Sequence, residues 1–171
     1  MIDTVIRLLA GVVDGSTRVA LKHILNPIAD RMSSKQLNSA GLVIKAGGSA
    51  VVKTGGSACH AIAAGVLQSI AAATDMAALS GTVTNAKFNV FVYCIDSGGN
   101  LSTLMGIEGA TLAAVKFPPI PEKKAVIGFT IINPTGTGNF VGGTTAIDDA
   151  TVVPTAVHVS VVGSCDPSIL I

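Results

Sequence analysis

The sequence predicts a mainly β protein: an antiparallel β-sandwich or barrel, with a jelly-roll-like arrangement among those that fit, preceded by a short helical N-terminal arm. Three observations lead there. Runs dense in β-branched and aromatic residues occur at 87–95, 125–132 and 155–162. Glycine pairs at 47–48 and 55–56 punctuate the shorter apolar runs before them. After residue 40 there is almost no long stretch of helical periodicity.

The order of elements follows from local pattern. Residues 1–31 form the arm. Ile2, Val5, Ile6, Leu9, Val12 and Val13 recur at helical spacing, and Gly11 and Gly15 weaken and end that helix. A second helix starts at Ser16 or Thr17 as N-cap, carries Leu21, Ile24, Leu25 and Ile28, and meets a break or kink at Asn26-Pro27. Helices this short are marginal alone in water, so both apolar faces need a surface to rest on. Two readings use the same faces: docking on a neighbouring copy or partner, or folding back to cap the arm's own domain. The polar stretch 32–40, with Ser33, Ser34, Lys35, Gln36 and Asn38, reads as a linker.

The β-rich domain spans 41–171. Residues 45–52 and 53–60 form an imperfect repeat, Lys-Ala-Gly-Gly-Ser-Ala followed by Lys-Thr-Gly-Gly-Ser-Ala, which suggests a meander of short strands at 42–44, 51–52 and 58–62. The strongest runs, 87–95 and 125–132, belong in the centre of a sheet. The first turns at Asp96-Ser-Gly-Gly-Asn100 and returns along 101–105 as a hairpin. Phe117-Pro-Pro-Ile-Pro121 cannot donate the hydrogen bonds of a central strand, so an extended edge or crossover is expected there. In the last strand Ala156, His158 and Ser160 alternate with Val157, Val159 and Val161.

Composition narrows function. Only 12% of the 171 residues are charged, against about 25% in an ordinary soluble domain. The mean hydropathy is +0.65. With no Trp, one Tyr and five Phe, the core must be built from small and β-branched side chains. So few charges leave apolar surface that a single copy cannot cover, and association with further copies is expected. The eleven Lys and Arg are scattered, so no basic stripe is available for phosphates and no nucleic-acid partner is expected. The stretch 61–79 approaches membrane length but holds Gln68, Ser69, Thr74 and Asp75, so no membrane span is expected. No signal peptide is read at the N-terminus. Cys59, Cys94 and Cys165 are odd in number and form no CxxC, so they read as small buried hydrophobes.

Candidate chemistry is sparse. No GxSxG motif occurs, and His23, His60 and His158 stand apart from one another. Cys59-His60 and His158 are ligand types for a metal, but adjacent residues on a strand point to opposite faces. The glycines at 136, 138, 142 and 143 lack the spacing of a phosphate-cradling loop, and no helix-forming run follows closely. Asp96, Gly98 and Asn100, with Asp148 and Asp149, have calcium-ligand types but read as turn residues. Glu108 and Glu122 are the only glutamates, too few to suggest a glycosidase pair. A non-enzymatic protein with no catalytic residue, cofactor or metal is expected.

Three segments carry a resemblance: Asp75-Met-Ala-Ala-Leu-Ser-Gly-Thr-Val-Thr84, Pro118-Pro-Ile-Pro-Glu-Lys-Lys-Ala-Val-Ile-Gly-Phe129 and Asn133-Pro-Thr-Gly-Thr-Gly-Asn-Phe-Val-Gly-Gly-Thr-Thr-Ala-Ile-Asp148. Over about residues 40–165 the chain resembles small virion structural proteins of tailed bacteriophages, of the capsid decoration (cement) or head-fibre type. The resemblance implies a β-domain made in the host cytoplasm, used in many copies on the capsid surface and bound to the major capsid protein. It implies a homo-oligomer, with a trimer among the candidate symmetries. The alternative it carries is a head-fibre or tail module for receptor or glycan binding. That role calls for aromatic rings in exposed loops, and Phe117 and Phe140 are the loop-like aromatics available.

Overall fold

The computed structural model describes residues 15–164. The chain is mainly β, with several antiparallel sheets and a helix near its N-terminus. Ile2, Val5, Ile6 and Leu9 lie outside the described residues, as does Cys165.

Helix α1 (Gly15–Ser33) carries Leu21, Ile24, Leu25 and Ile28, as the spacing predicts. The expected interruption at Asn26-Pro27 does not end it: the helix runs on to Ser33. Pro27 removes one amide from the ladder, and contacts from the β-body fix the turn beyond it. Asp30 Oδ2 accepts the Lys123 amide at 2.7 Å, the Ser33 carbonyl accepts the Gly65 amide at 3.2 Å, and the Ser34 hydroxyl accepts the Ala64 amide at 3.0 Å. Along the helix itself, none of the described side chains is buried.

Lys35–Gln36 (β1), within the polar 32–40 stretch, pairs with Cys59–Ala63 (β4), which pairs in turn with Val66–Ile70 (β5), giving a three-stranded sheet in the order β1-β4-β5. Val43–Ile44 (β2) and Val52–Lys53 (β3) form a separate hairpin. The eight-residue repeat is therefore divided: its first copy closes the β2-β3 hairpin, while its second leads into β4 of another sheet, so the expected continuous meander does not form. Thr82–Val83 (β6) pairs with Phe140–Val141 (β10).

The largest sheet joins the three strong runs and the predicted hairpin in the order β11-β9-β7-β8, all antiparallel: Ala156–Ser160 (β11), Lys124–Ile132 (β9), Asn89–Asp96 (β7) and Leu101–Met105 (β8). From Asn89 to Ile95 every residue of β7 is buried. Its alternation sends Phe91, Tyr93 and Ile95 into the larger core, with Cys59, Ala61 and Ala63 of β4, Val83 of β6 and Phe140 of β10. Val92 and Cys94 face the other way, with Val126 and Ile120. The proline-rich segment at 117–121 belongs to the connection from β8 to β9, which flank β7 on opposite sides, so it is a crossover and not an edge strand. It lies over this second face, with Ile120 buried and the Phe117 ring edge-on to Phe129 at a centroid distance of 5.2 Å. Proline suits a segment that has no strand ladder to join.

A bulge reconciles β9 with both faces. Tyr93 pairs with Gly128 and Cys94 with Val126, so Ile127 is the extra residue and both Ala125 and Ile127 reach the larger core. At Gly128 this strand meets its neighbours closely. A Cβ there would lie 2.3 Å from the Val159 carbonyl oxygen and 2.6 Å from Leu42 Cδ1. We expect Gly128→Ala to lower unfolding stability by about 1–3 kcal/mol in chemical denaturation, the usual range for overpacking. Gly56→Ala, whose Cβ would meet nothing within 4 Å, should stay within about 0.5 kcal/mol of the parent. Equal effects at the two positions would contradict the packing described.

Candidate functional site

The loop before β11 and the first half of that strand border an open cleft of about 330 Å³, whose walls include Ile44, Ile147, Val153, Pro154, Asp148 and His158. His158 is placed by register. It pairs across the sheet with Thr130, which is fully buried, and its Nδ1 lies 2.9 Å from Thr130 Oγ1. Thr130 Oγ1 is in turn 2.9 Å from the hydroxyl of Tyr93, itself 1% exposed. Three polar groups thus run in a chain from the core of the sheet to the cleft.

One arrangement of protons along that chain satisfies all three groups. Thr130 is the hydrogen-bond partner of the Tyr93 hydroxyl, and a buried hydroxyl left without an acceptor costs about 1–3 kcal/mol. With Tyr93 donating to Thr130 and Thr130 donating to His158 Nδ1, each hydroxyl has an acceptor and the His158 proton lies on Nε2. Burial holds the Tyr93 phenol well above its ordinary value and pushes His158 below its own. The shift at His158 favours the neutral imidazole.

The carboxylate in the cleft wall is engaged elsewhere. Asp148 accepts the Gly48 amide at 3.0 and 3.1 Å through its two oxygens, fastening the β2-β3 turn to the 147–153 loop. No hydrogen bond joins it to His158, so the pair is not arranged as an acid and its base. The other expected turn carboxylates also cap local amides. Asp96 accepts the amides of Asn100 and Gly98, both at 2.9 Å. Its carboxyl is held below the usual range first by the Asn100 amide, then by the Asn100 side chain, with smaller help from Gly98 and Lys124. Asp149 is lowered chiefly by the Thr151 hydroxyl and amide.

The remaining candidates are dispersed. Cys59 is buried on β4 beside the Gln36 side chain, and burial raises its thiol. Among the described residues no three His, Cys, Asp or Glu side chains gather as a ligand set. In the glycine-rich loop the Gly142 amide binds the Gly81 carbonyl and the Thr137 amide binds the Thr151 carbonyl, so neither points outward as a phosphate donor. Phe140 is fully buried and stacks edge-on against Phe91 at 5.9 Å. Of the arm residues, Leu21 and Leu25 are half-buried and Ile28 is 50% exposed; elsewhere on the helix Val19 and Met32 are 56% and 50% exposed. No described helix is long and apolar enough to cross a membrane.

Sequence reading missed the Tyr93-Thr130-His158 chain. Its one cue was a lone Thr and a lone His inside apolar strand runs, and only the β9-β11 register brings them together.

The lowered pKa of His158 has a sign that can be tested. The unfolded chain holds a proton on this group below about 6.5, whereas the folded chain resists it. The contribution of His158 is therefore complete above that pH and is lost as pH falls through the lower folded pKa. We expect the melting temperature to drop between pH 7.5 and 5.5, and His158→Gln to drop less over the same interval. Parallel profiles for the two proteins would contradict a neutral, Thr130-anchored imidazole.

Comparison with protein-family models, curated proteins and solved structures finds no match to this chain.

Proposed function

We propose that this chain is a non-catalytic virion structural protein of the capsid decoration type. It works in several copies on the surface of a phage head, where it contacts the major capsid protein and stabilises the shell by bridging its subunits. The observation that carries this reading is helix α1. It is tied to the β-body near its C-terminal end while presenting Ile28 and Met32, one turn apart on the same face, to solvent. An apolar helix face of this kind gains stability by being covered, and a shell or a neighbouring copy supplies the cover. Scarcity of charge supports the same reading: a surface poor in Lys, Glu, Asp and Arg suits permanent contact more than free diffusion.

The alternative, a fibre module that recognises a glycan, relied on Phe117 and Phe140. Phe117 is half-buried against Phe129 and Phe140 is fully buried, which favours the decoration reading over this one.

Purified particles from an infected culture that makes the chain should contain it in stoichiometric copies on the head shell, located by electron microscopy. Burying Ile28 and Met32 would contribute about 1.5–3 kcal/mol each before ordering costs. Replacing both (Ile28→Asp with Met32→Asp) should therefore weaken particle binding on the order of a hundredfold, with little change in melting temperature. Absence of the chain from particles, or full decoration by the double variant, would overturn the proposal.

A further inference from the structure

Strand β5 is an edge, and an unprotected one. It lies at the end of the β1-β4-β5 order, with the sequence Val66-Leu-Gln-Ser-Ile70. Edge strands in soluble proteins are usually guarded by charge, proline or a bulge. This one has none of them: no Lys, Arg, Asp or Glu occurs between Lys53 and Asp75, and β4 pairs with β5 without a register shift.

Register shows which groups are open. The Leu37 amide donates to the His60 carbonyl at 2.8 Å, so His60 and Ile62 turn their main-chain groups toward β1. Cys59, Ala61 and Ala63 then bond to β5, through their partners Ile70, Gln68 and Val66. The main-chain groups of Leu67 and Ser69 accordingly point out of the sheet, and among the described residues no backbone hydrogen bond reaches them from outside it. Both ends of this gap are closed. The Gly65 amide is bound by the Ser33 carbonyl, and the Ala71 carbonyl takes the hydroxyls of Thr54 and Thr74. The opening runs from Leu67 to Ser69, with Leu67 63% and Val66 46% exposed beside it.

The geometry points to a second copy of this chain as the occupant, pairing β5 with β5 in antiparallel fashion about a two-fold axis at Gln68. The segment is self-complementary on that axis. Leu67 would exchange both its main-chain hydrogen bonds with Ser69 of the second copy, and Ser69 with Leu67, which satisfies every open group in the gap. Val66 would face Ile70, and the two Leu67 side chains would lie diagonally, within reach of one another. An uncharged edge accepts an uncharged strand without desolvating an ion, and β5 is such a strand. Two three-stranded sheets become one continuous sheet.

This inference rests on the self-association put forward above and gives it a surface. Light scattering on the full chain at micromolar concentration should report a mass with an even number of copies. Leu67→Lys, which places a charge on an exposed position of the edge, should raise the dissociation constant by about tenfold or more and halve the mass. Gln68→Cys in a Cys165→Ser background should cross-link under mild oxidation, because directly opposed residues of a non-hydrogen-bonded pair have Cα atoms about 4.5 Å apart, within disulfide range. Leu112→Cys, exposed on a 3₁₀ turn, should not. An associated chain whose mass ignores Leu67→Lys, and whose Gln68→Cys variant fails to cross-link, would overturn the β5 pairing while leaving self-association in place. A monomeric parent chain would overturn both.

Discussion

Strand β7 has to be covered on both faces, and most of the architecture is a consequence of that requirement. A strand whose residues from Asn89 to Ile95 are all buried needs apolar partners above and below it, and hydrogen-bonded strands on either side. Below, the cover is supplied by the β4 sheet and the β6-β10 pair, whose small side chains let Phe91, Tyr93 and Phe140 fill the space between. Above, the cover is the proline-rich crossover at 117–121, which supplies Phe117 and Ile120. On either side lie β8 and β9. The cleft at His158 is an outgrowth of the same constraint, since β11 is held on β9 and brings the imidazole onto Thr130.

Scarcity of charge and scarcity of aromatic rings are two sides of one design. Ala61 and Ala63 on the inner face of β4, and Gly128 against β11, allow close approach of backbones, so a dense core is reached without large side chains. Several of the buried polar groups are engaged by nearby main-chain groups, while Gln36 Oε1 and Asn133 Oδ1 are buried without a hydrogen-bond partner. Asn89 bonds the Gly106 carbonyl and the Val90 amide, and Thr54 bonds the Ala71 carbonyl and the Thr74 amide. Among the described residues, the exposed apolar side chains of α1 and the open edge of β5 lie at the periphery, and both are features that contact with another molecule would complete.

Much of this was legible in the sequence, and the parts that were not share a cause. β7, β8, β9 and β11 carry their own signal in β-branched and aromatic runs or in the Asp96-to-Asn100 turn, so local pattern suffices. The two-residue strands β1, β6 and β10 have no local signature and exist because long-range partners such as Ile62 and Phe140 meet them. β5 was hidden inside the alanine-rich stretch 61–79, where the Ala64-Gly65 turn was not apparent. Ala64 adopts a left-handed φ of 50° that its sequence does not favour, and anchors at Ser33 and Ser34 hold it there. The continuation of α1 past Pro27 likewise depends on Asp30 meeting Lys123, 93 residues away. The arm faces could be read from periodicity, whereas the Tyr93-Thr130-His158 chain required knowledge of the register.

On this reading a β-body built around β7 meets its partners through a few open groups at its margin. Amide hydrogen exchange on the full chain, followed residue by residue at low and high protein concentration, tests it most directly. The account predicts that the β7 and β9 amides exchange slowest and do so independently of concentration, while the amides of Leu67 and Ser69 pass from rapid exchange to protection as concentration rises. Rapid exchange in β7, or edge amides that stay equally fast at every concentration, would contradict it.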